Sequence, residues 1–142
     1  MTAATGYDGL STRLIPEADL RTFLLTCFGT PEQELFVAHQ DNVATTLADV
    51  PEEQLFAVFC TWWTVTGDFA MGFSLGLNAT AATRVGRQKF THRLAVTFTT
   101  NILTGDQEPP GLWTLTHPDG TTRLVALDEH DDQFHLRPPD VQ

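Results

Sequence analysis

The first part of the chain places hydrophobic residues at helical spacing behind starts that are rich in proline and acids. The pair Pro16–Glu17 suits the first turn of a helix, where proline is tolerated and acids favour the positive end of the dipole. Leu20, Phe23 and Cys27 then repeat at helical spacing as far as Gly29. The pattern therefore predicts a helix that ends at Gly29.

Two further helices are predicted from the same kind of start. Thr30–Glu34 repeats the signal, with Thr30 as the cap, and predicts a helix to about Ala48. Asp49–Glu53 precedes the apolar run from Leu55 to Trp63 and predicts a third helix that ends in the threonine-rich stretch before Gly67.

The residue pattern of 68–83 fits either a strand or a helix, and the predicted fold depends on which of the two forms. Large apolar residues at odd positions from Phe69 to Leu77 alternate with small residues such as Gly72 and Gly76. This alternation predicts a strand with one bulky and one minimal face. The alternative is a helix with a glycine notch, in which each interior glycine costs about 1 kcal/mol relative to alanine.

A run of strands is predicted from Lys89 onward. Apolar and polar residues alternate from Phe90 to Ile102 and predict one long strand, followed by a turn at 105–111. The stretches 112–117 and 121–127 predict a hairpin, whose turn is either a proline-led turn with a glycine bulge or a two-residue Asp-Gly loop.

A last strand over 133–137 completes an antiparallel β-meander of four or more strands. The predicted fold class is therefore α+β, with the N-terminal helices packed on that meander as two layers of one domain over residues 1–142. Residues 1–14 are expected to be a loosely ordered N-terminal segment, and 138–142 a tail.

Charge and composition narrow the class of protein. The 142 residues carry a net charge of −10, and residues 1–83 hold ten acids against two bases, a net charge of −8. Such a field repels nucleic acid, which is bound mainly through Lys and Arg. No signal peptide and no apolar run of about 20 residues is present, so we expect a soluble, cytoplasmic protein without a membrane partner.

Few sequence motifs indicate a nucleophile, a metal ligand or a cofactor site. Cys27 and Cys60 lie in apolar segments without ligand spacing and are expected to be buried, reduced thiols. The GFSLG sequence at 72–76 matches a nucleophile elbow only by chance, because its serine falls within a predicted strand. No family motif is recognised, and no cofactor is expected.

His92 and Asp68 are the candidate catalytic residues. His92 shares the predicted strand face of Phe90 and Leu94, so its imidazole should point into the apolar layer, and Asp68 is a possible carboxylate partner. The structural alternatives are that His92 is a core histidine with its hydrogen bonds satisfied and that Asp68 only stabilises a turn.

The candidate ligand-binding residues are aromatic and basic: Trp62, Trp63, Phe73, Arg87 and Arg93. The aromatics could line an apolar pocket under a covered sheet, although core packing explains them equally. The two arginines belong to a run of bases over 84–93 that contains no acid. That run could hold an anionic group or neutralise the acidic helices.

Weak metal candidates occur near the end of the chain. If Asp131–Asp132 is a two-residue loop, His135 lies opposite Asp128 and His130 lies opposite Gln133. Such a set could hold a divalent cation weakly. A solvated acidic loop explains the same residues, so no metal is expected.

Two functions are compatible with this pattern. The first is a non-catalytic binding or assembly module that recognises an apolar ligand or a protein partner, with self-association through the strand at 69–77 or the strand from Phe90. The alternative is a cofactor-independent isomerase, cyclase or hydratase of an apolar small molecule, with His92 and Asp68 as acid and base. Catalysis is the less favoured of the two.

Overall fold

A computed structural model describes residues 5–105 and 112–138 of the chain. The helices and strands, in chain order, are β1 (Thr5–Ser11), α1 (Glu17–Phe28), β2 (Leu35–His39), α2 (Val43–Leu47), β3 (Val58–Thr64), β4 (Thr66–Gly67), β5 (Met71–Leu77), α3 (Ala79–Arg84), α4 (Arg87–Phe98), β6 (Ile102–Thr104), β7 (Leu112–Thr116), β8 (Thr122–His130) and β9 (Gln133–Arg137). Short 3₁₀ turns at Glu32–Glu34 and Gln40–Asn42 flank β2.

The strands form a large, mostly antiparallel sheet in the described part of the chain. Hydrogen bonding orders them β2-β3-β5-β1-β6-β7-β8-β9-β4, with the β2–β3 and β4–β9 pairs parallel. The mixed α and β composition agrees with the predicted class. The predicted order, helices first and meander second, is only partly right, because β1, β2, β3 and β4 come from the first half of the chain.

The first predicted helix is confirmed as α1. Gly29 ends it in the left-handed conformation, at φ 61°, and donates its N–H to the carbonyl of Leu25. Arg84 then donates from Nη1 to the carbonyl oxygens of Phe28 and Gly29, at 2.7 and 3.2 Å. The last carbonyls of α1 are therefore satisfied by a glycine cap and a guanidinium.

The second and third predicted helices are wrong. Leu35–His39 is the strand β2, which pairs in parallel with β3, and only the short α2 is helical before Ala48. Four consecutive residues of β2 are buried. A parallel strand buried on both faces reads as a continuous apolar run, which periodicity does not separate from a buried helix.

The predicted strand in 68–83 is confirmed as β5. Its bulky face is buried at Met71, Phe73, Leu75 and Leu77. On the minimal face, Gly76 lies beside the backbone of Phe59 on β3. Because β5 has neighbours on both sides in the strand order, its edges are not open for self-association.

The predicted long strand from Phe90 is wrong, since residues 87–98 form α4. The buried residues of the segment include Phe90, Thr91, Leu94 and Ala95, which is the stripe of a helix and not the alternation of a strand. Packing along this stripe overrides the β-propensity of the threonines around it. Thr99, at φ 49°, follows the helix end, and β6 is the first strand of the meander.

The strands predicted at 112–117, 121–127 and 133–137 are confirmed as β7, β8 and β9, and the two turns between them lie where they were predicted. The short β6 takes the place of the long strand that was predicted to begin the meander. Leu115 faces Arg123, so Pro118–Gly120 is a three-residue turn, and Gly120 has φ 89°. This is the glycine-bulge alternative. Asp131–Asp132 is a two-residue turn with positive φ at both positions. Most of the turn predicted at 105–111 lies outside the described residues.

The N-terminal segment contains more structure than the sequence predicts. Thr5–Ser11 forms β1, which pairs with β6. Tyr7, Leu10 and Ser11 are buried there, and their burial stabilises the strand. Residues 1–4 and 139–142 lie outside the described part of the chain, so the predicted tail is described only at Pro138, which is exposed.

The residues divide into two compact units by their contacts. In described residues, the first unit comprises 5–7, 15–63 and 73–90, and the second comprises 8–14, 64–72, 91–105 and 112–138. The prediction of one domain over 1–142 stays a prediction.

The first unit is built around the ring of Phe90. Its centroid lies 5.8 to 6.2 Å from those of four other buried rings: Tyr7, Phe23, Phe28 and Phe73. The planes are tilted or perpendicular, the arrangements that aromatic quadrupoles favour. This cluster joins α1, α4, β1 and β5 in one core.

In the second unit, hydrogen bonds form a closed circuit. The strand pairs run β1–β6, β6–β7, β7–β8, β8–β9 and β9–β4. Residues 64–70 then return to β1, because the N–H of Ala70 donates to the carbonyl of Ser11 at 2.9 Å. On its other side this segment donates from Thr66 to Asp132 and from Asp68 to Phe134. The segment 64–70 therefore closes the circuit.

The longest helices, α1 and α4, have 12 residues each. A membrane-crossing helix needs about 20 apolar residues. Accordingly, within residues 5–105 and 112–138, every helix is too short or too polar to span a membrane.

Candidate functional site

The predicted catalytic residues His92 and Asp68 have different neighbours. His92 is exposed on α4, so the expectation that it points into an apolar layer is wrong. A side chain added at Gly120 would lie 3.0 Å from its Nε2. Asp68 instead accepts a hydrogen bond at Oδ2 from the N–H of Leu136, at 2.7 Å, and lies 4.0 Å from Nδ1 of His135. The imidazole beside Asp68 is therefore that of His135.

Two of the predicted ligand-binding residues take part in the packing of the first unit. The ring of Phe73 is buried against Phe90. The guanidinium of Arg87 lies 5.3 Å from the ring centroid of Tyr7 and donates to the carbonyl of Gly6 at 2.8 Å. Burial raises the pKa of Tyr7, and the nearby Arg87 partly opposes that rise. Arg87 therefore stabilises the N-terminal strand and Phe73 packs in the aromatic core, and a ligand role for either stays a prediction.

Trp62 lies within β3, opposite His39 at the end of β2. Its indole Nε1 donates to Oε1 of Glu17 at 2.9 Å, and its ring meets the His39 ring edge to face at 4.6 Å. His39 in turn accepts at Nδ1 from the N–H of Asp41. Trp63 is half-buried. Trp62 is thus held by protein groups along its edge.

The run of bases over 84–93 does not converge on one site. Arg84 and Arg87 donate to carbonyl oxygens of the protein. Lys89 and Arg93 are exposed on α4. Two of the four cations therefore satisfy backbone groups, a role that neither sequence interpretation of this run included.

The weak metal candidates pair with protein charges. Asp128 lies directly opposite His135, as the two-residue turn predicts. The Asp128 carboxylate accepts from Nε of Arg137 at 2.9 Å. His130 lies beside Asp131, at 3.4 Å. In the described residues, no three His, Cys, Asp or Glu side chains group so that they could hold a metal ion.

Both cysteines are buried and reduced, as predicted. Burial, and to a smaller extent the charge of Glu17, raises the pKa of Cys60 to about 12. At neutral pH this thiol is un-ionised, whereas a nucleophilic cysteine needs its thiolate.

The sequence did not identify the connection between β2 and β3 as a surface. Every residue from 40 to 56 is half-buried or exposed, and α2 within it has no buried side chain. Val43 and Leu47 lie one helical turn apart on α2, and both keep part of their surface in solvent, as does Val50. We call residues 40–56 the crossover segment.

The end of the crossover segment is held firmly in place. The Phe56 ring packs edge to face on Phe36 and Phe59, at 5.5 and 5.9 Å. Gln54 donates from Nε2 to the carbonyls of Gln33 and Leu55, at 2.9 and 2.8 Å. Leu55, next to this anchor, is 82% exposed. An ordered loop therefore presents one large apolar side chain to solvent.

Periodicity missed this surface because it assigned the apolar residues of the segment to inward helix faces. A signal was available in the small and polar residues Ala44–Thr46, and in the acids at Asp49 and Glu52–Glu53. Those residues leave little apolar area with which a helix could pack on a sheet.

A shallow surface depression of about 470 Å³ lies on α3. It is lined by Ala79, Thr80, Thr83 and Arg84. Its lining is formed by small side chains and one guanidinium, and that guanidinium already donates to Phe28. The depression lacks the convergent polar groups that orient a ligand.

Comparisons of the chain with protein-family models, with curated proteins and with solved structures find no match.

Proposed function

We propose that the protein is a non-catalytic protein-interaction module and that the crossover segment is its contact surface. One observation carries the proposal: residues 40–56 connect two parallel strands with no buried residue, and Leu55 is 82% exposed. Connections between parallel strands normally run through a helix packed on the sheet. Here the apolar residues of the connection are left partly accessible.

Binding of a partner would remove this apolar surface from water. Val43, Leu47, Val50 and Phe56 are half-buried, so a complementary surface along the crossover segment could complete their burial and cover Leu55. Interfaces commonly combine an apolar centre with a polar rim, and loops on a rigid scaffold commonly carry binding residues. The anchoring of Phe56 and Gln54 reduces the entropy that would be lost on association.

The same geometry favours a protein over a small apolar molecule. Pockets for small ligands are concave and enclose most of the ligand surface. The apolar residues of the crossover segment instead lie along an open connection that ends in an exposed leucine. An open surface of this kind suits a second macromolecular face.

Recognition through side chains is favoured over strand addition. β2 is the first strand in the order, but Leu35 to Ala38 are each 8% exposed or less, so little of its backbone edge is accessible. At the other end of the order, β4 belongs to the closed circuit of the second unit. Adding a peptide strand requires an open edge.

The proposal includes a cytoplasmic location and no cofactor, as expected from the sequence. The alternative, a cofactor-independent isomerase, cyclase or hydratase, requires His92 and Asp68 to act on one substrate. Their contacts with Gly120 and with Leu136 and His135 add no support for that pairing.

Site-specific crosslinking in cells tests the proposal. A photoreactive residue at position 55 is expected to give one reproducible adduct with another protein, whereas the same residue at Leu124, which is 44% exposed in the second unit, should give none. The purified adduct partner should bind the full chain, and Leu55→Asp should weaken that binding by about tenfold or more without changing Tm.

Leu124→Asp is the matched control and should leave binding unchanged. The proposal is wrong if Leu55→Asp and Leu124→Asp have equal effects, or if no adduct forms from position 55.

A further inference from the structure

The crossover segment lies within a long stretch of the chain that contains no positive side chain. No lysine or arginine occurs between Arg21 and Arg84, while that stretch contains seven acids. Four of them, Asp41, Asp49, Glu52 and Glu53, lie in the crossover segment itself, and all four are exposed. Along the sequence, the only charged neighbours of the apolar residues of the segment are therefore negative.

Among the described residues, no cation pairs with the acids that lie nearest to Leu55 in the sequence. Glu32, before β2, pairs with Arg21 at 3.7 Å, and Asp41 lies beside His39. Asp49, Glu52 and Glu53 have no ion pair with any residue in 5–105 or 112–138. Their charge is available to a binding partner.

We infer, on the basis of the proposed function, that the partner presents lysine or arginine side chains around an apolar pocket that receives Leu55. The exposed leucine and its half-buried neighbours supply the apolar contact, and the acids select the charge of the partner. Opposite charges across an interface accelerate encounter and disfavour wrong partners. Acidic and apolar residues alternate along the segment, with Asp49 beside Val50 and with Glu52 and Glu53 just before Leu55, so one surface offers both the apolar and the charged contacts that interfaces combine.

Self-association through this surface is disfavoured. In a symmetric dimer the same patch meets itself, so Glu52 and Glu53 of one copy would face those of the other. Each copy also carries a net charge of −10. Like charges brought together at an interface oppose association.

Titration of the full-length protein with three synthetic amphipathic peptides tests the inference. All three have the same leucine face, and the polar face carries only lysine, only glutamine or only glutamate. Amide chemical shifts locate the binding site. The lysine peptide should shift the amides of residues 43–56 and bind about tenfold more tightly than the glutamine peptide. Its affinity should fall as salt is raised from about 0.05 M to about 0.5 M.

A pair of double variants separates local charge from net charge. Glu52→Gln with Glu53→Gln should weaken the lysine peptide by about fivefold to tenfold. Asp131→Asn with Asp132→Asn removes the same charge from the turn between β8 and β9. Both positions have positive φ, a conformation that asparagine tolerates. That control should change the affinity by less than about twofold.

Several results would overturn the inference. If the glutamine peptide binds residues 43–56 as tightly as the lysine peptide, the charge selection is wrong while the proposed function stands. If both double variants have equal effects, or the shifts spread over both units, the attraction is a net-charge effect and the inference fails. Shifts of residues 43–56 that depend on protein concentration without peptide would show self-association instead. If no peptide shifts residues 43–56, the proposed function fails as well.

Discussion

Two connections flank β3, and they are built in opposite ways. The crossover segment, before β3, has no buried residue and leaves Leu55 82% exposed. Residues 64–70, after β3, bury Val65 and Phe69 and bond to backbone groups of Ser11, Asp132 and Phe134. The longer connection adds little packing, whereas the shorter one closes the hydrogen-bond circuit of its unit.

The difference between the two connections indicates that one contributes mainly to folding stability and the other mainly to recognition. A connection whose side chains and backbone groups are satisfied within the fold contributes to the free energy of unfolding and has little surface left to offer. One with accessible apolar residues and unpaired charges contributes little to folding and can contact another molecule. Equivalent substitutions in the two connections should therefore have unequal effects on stability.

The largest expected difference is between Phe69 and Leu55. Phe69→Ala should lower the free energy of unfolding by about 3–5 kcal/mol, because the ring is 2% exposed and its removal leaves a cavity. Leu55→Ala should change it by less than about 0.5 kcal/mol, since most of that side chain is in solvent. Urea unfolding followed by tryptophan fluorescence measures both. A loss for Leu55→Ala as large as that for Phe69→Ala would show that the crossover segment is part of the core.

Gly67 gives a second, smaller effect in the closing segment. Gly67 has φ 96°, and a Cβ there would lie close to the Phe134 backbone. The unfavourable φ alone costs an alanine about 1–2 kcal/mol, and relief of the collision adds to it. Gly67→Ala should therefore lower Tm clearly.

Gly76→Ala is the matched control, since its nearest neighbour would be the Phe59 carbonyl at an ordinary 3.8 Å. Differential scanning calorimetry compares the two variants. Equal Tm values would mean that residues 64–70 are not held against β9 in solution.

The smallest expected effect concerns two exposed aspartates, one in each connection. Asp68→Ala removes the acceptor for the N–H of Leu136 and should cost about 0.5–1.5 kcal/mol. Asp41 lies 3.7 Å from the His39 ring, and Asp41→Ala should cost less than about 0.5 kcal/mol. Hydrogen exchange at Leu136 should accelerate only in Asp68→Ala, and acceleration in Asp41→Ala would count against the assignment of this bond.

Local signals in the sequence sufficed where a segment is specified by its own residues. Pro16 before α1, the acids in its first turn and Gly29 after it specify that helix. Pro118–Gly120 and Asp131–Asp132 mark the positions of two turns, but the register at Pro118–Gly120 stayed open in the sequence and is decided by the pairing of β7 with β8. β5 is a strand despite its two glycines, because the large side chains that alternate with them are buried.

Local signals failed where distant packing decides. β2 is a strand because it pairs with β3, which lies beyond the crossover segment in sequence, and its continuous apolar run carries no period. α4 is a helix because Phe90 and Leu94 are both buried one turn apart, although its sequence also alternates. The exposed position of His92 follows from that helix, so the candidate catalytic pair could not be placed correctly from the sequence.

The crossover segment shows the same limit for the site. Its acids and small residues were visible, but exposure of Leu55 depends on where Phe56 is anchored, and that requires Phe36 and Phe59 to be neighbours on paired strands. Pairing across this distance is not encoded in local sequence.

The closed circuit of the second unit also bears on how the protein would behave at high concentration. Exposed strand edges are the usual templates for aggregation, and in this unit the edges of β9 and of β1 at Ser11 are both occupied by residues 64–70. Detachment of that one segment would uncover two edges at once. Conditions that loosen residues 64–70, long before global unfolding, should therefore set the limit for storage and crystallisation of the purified protein.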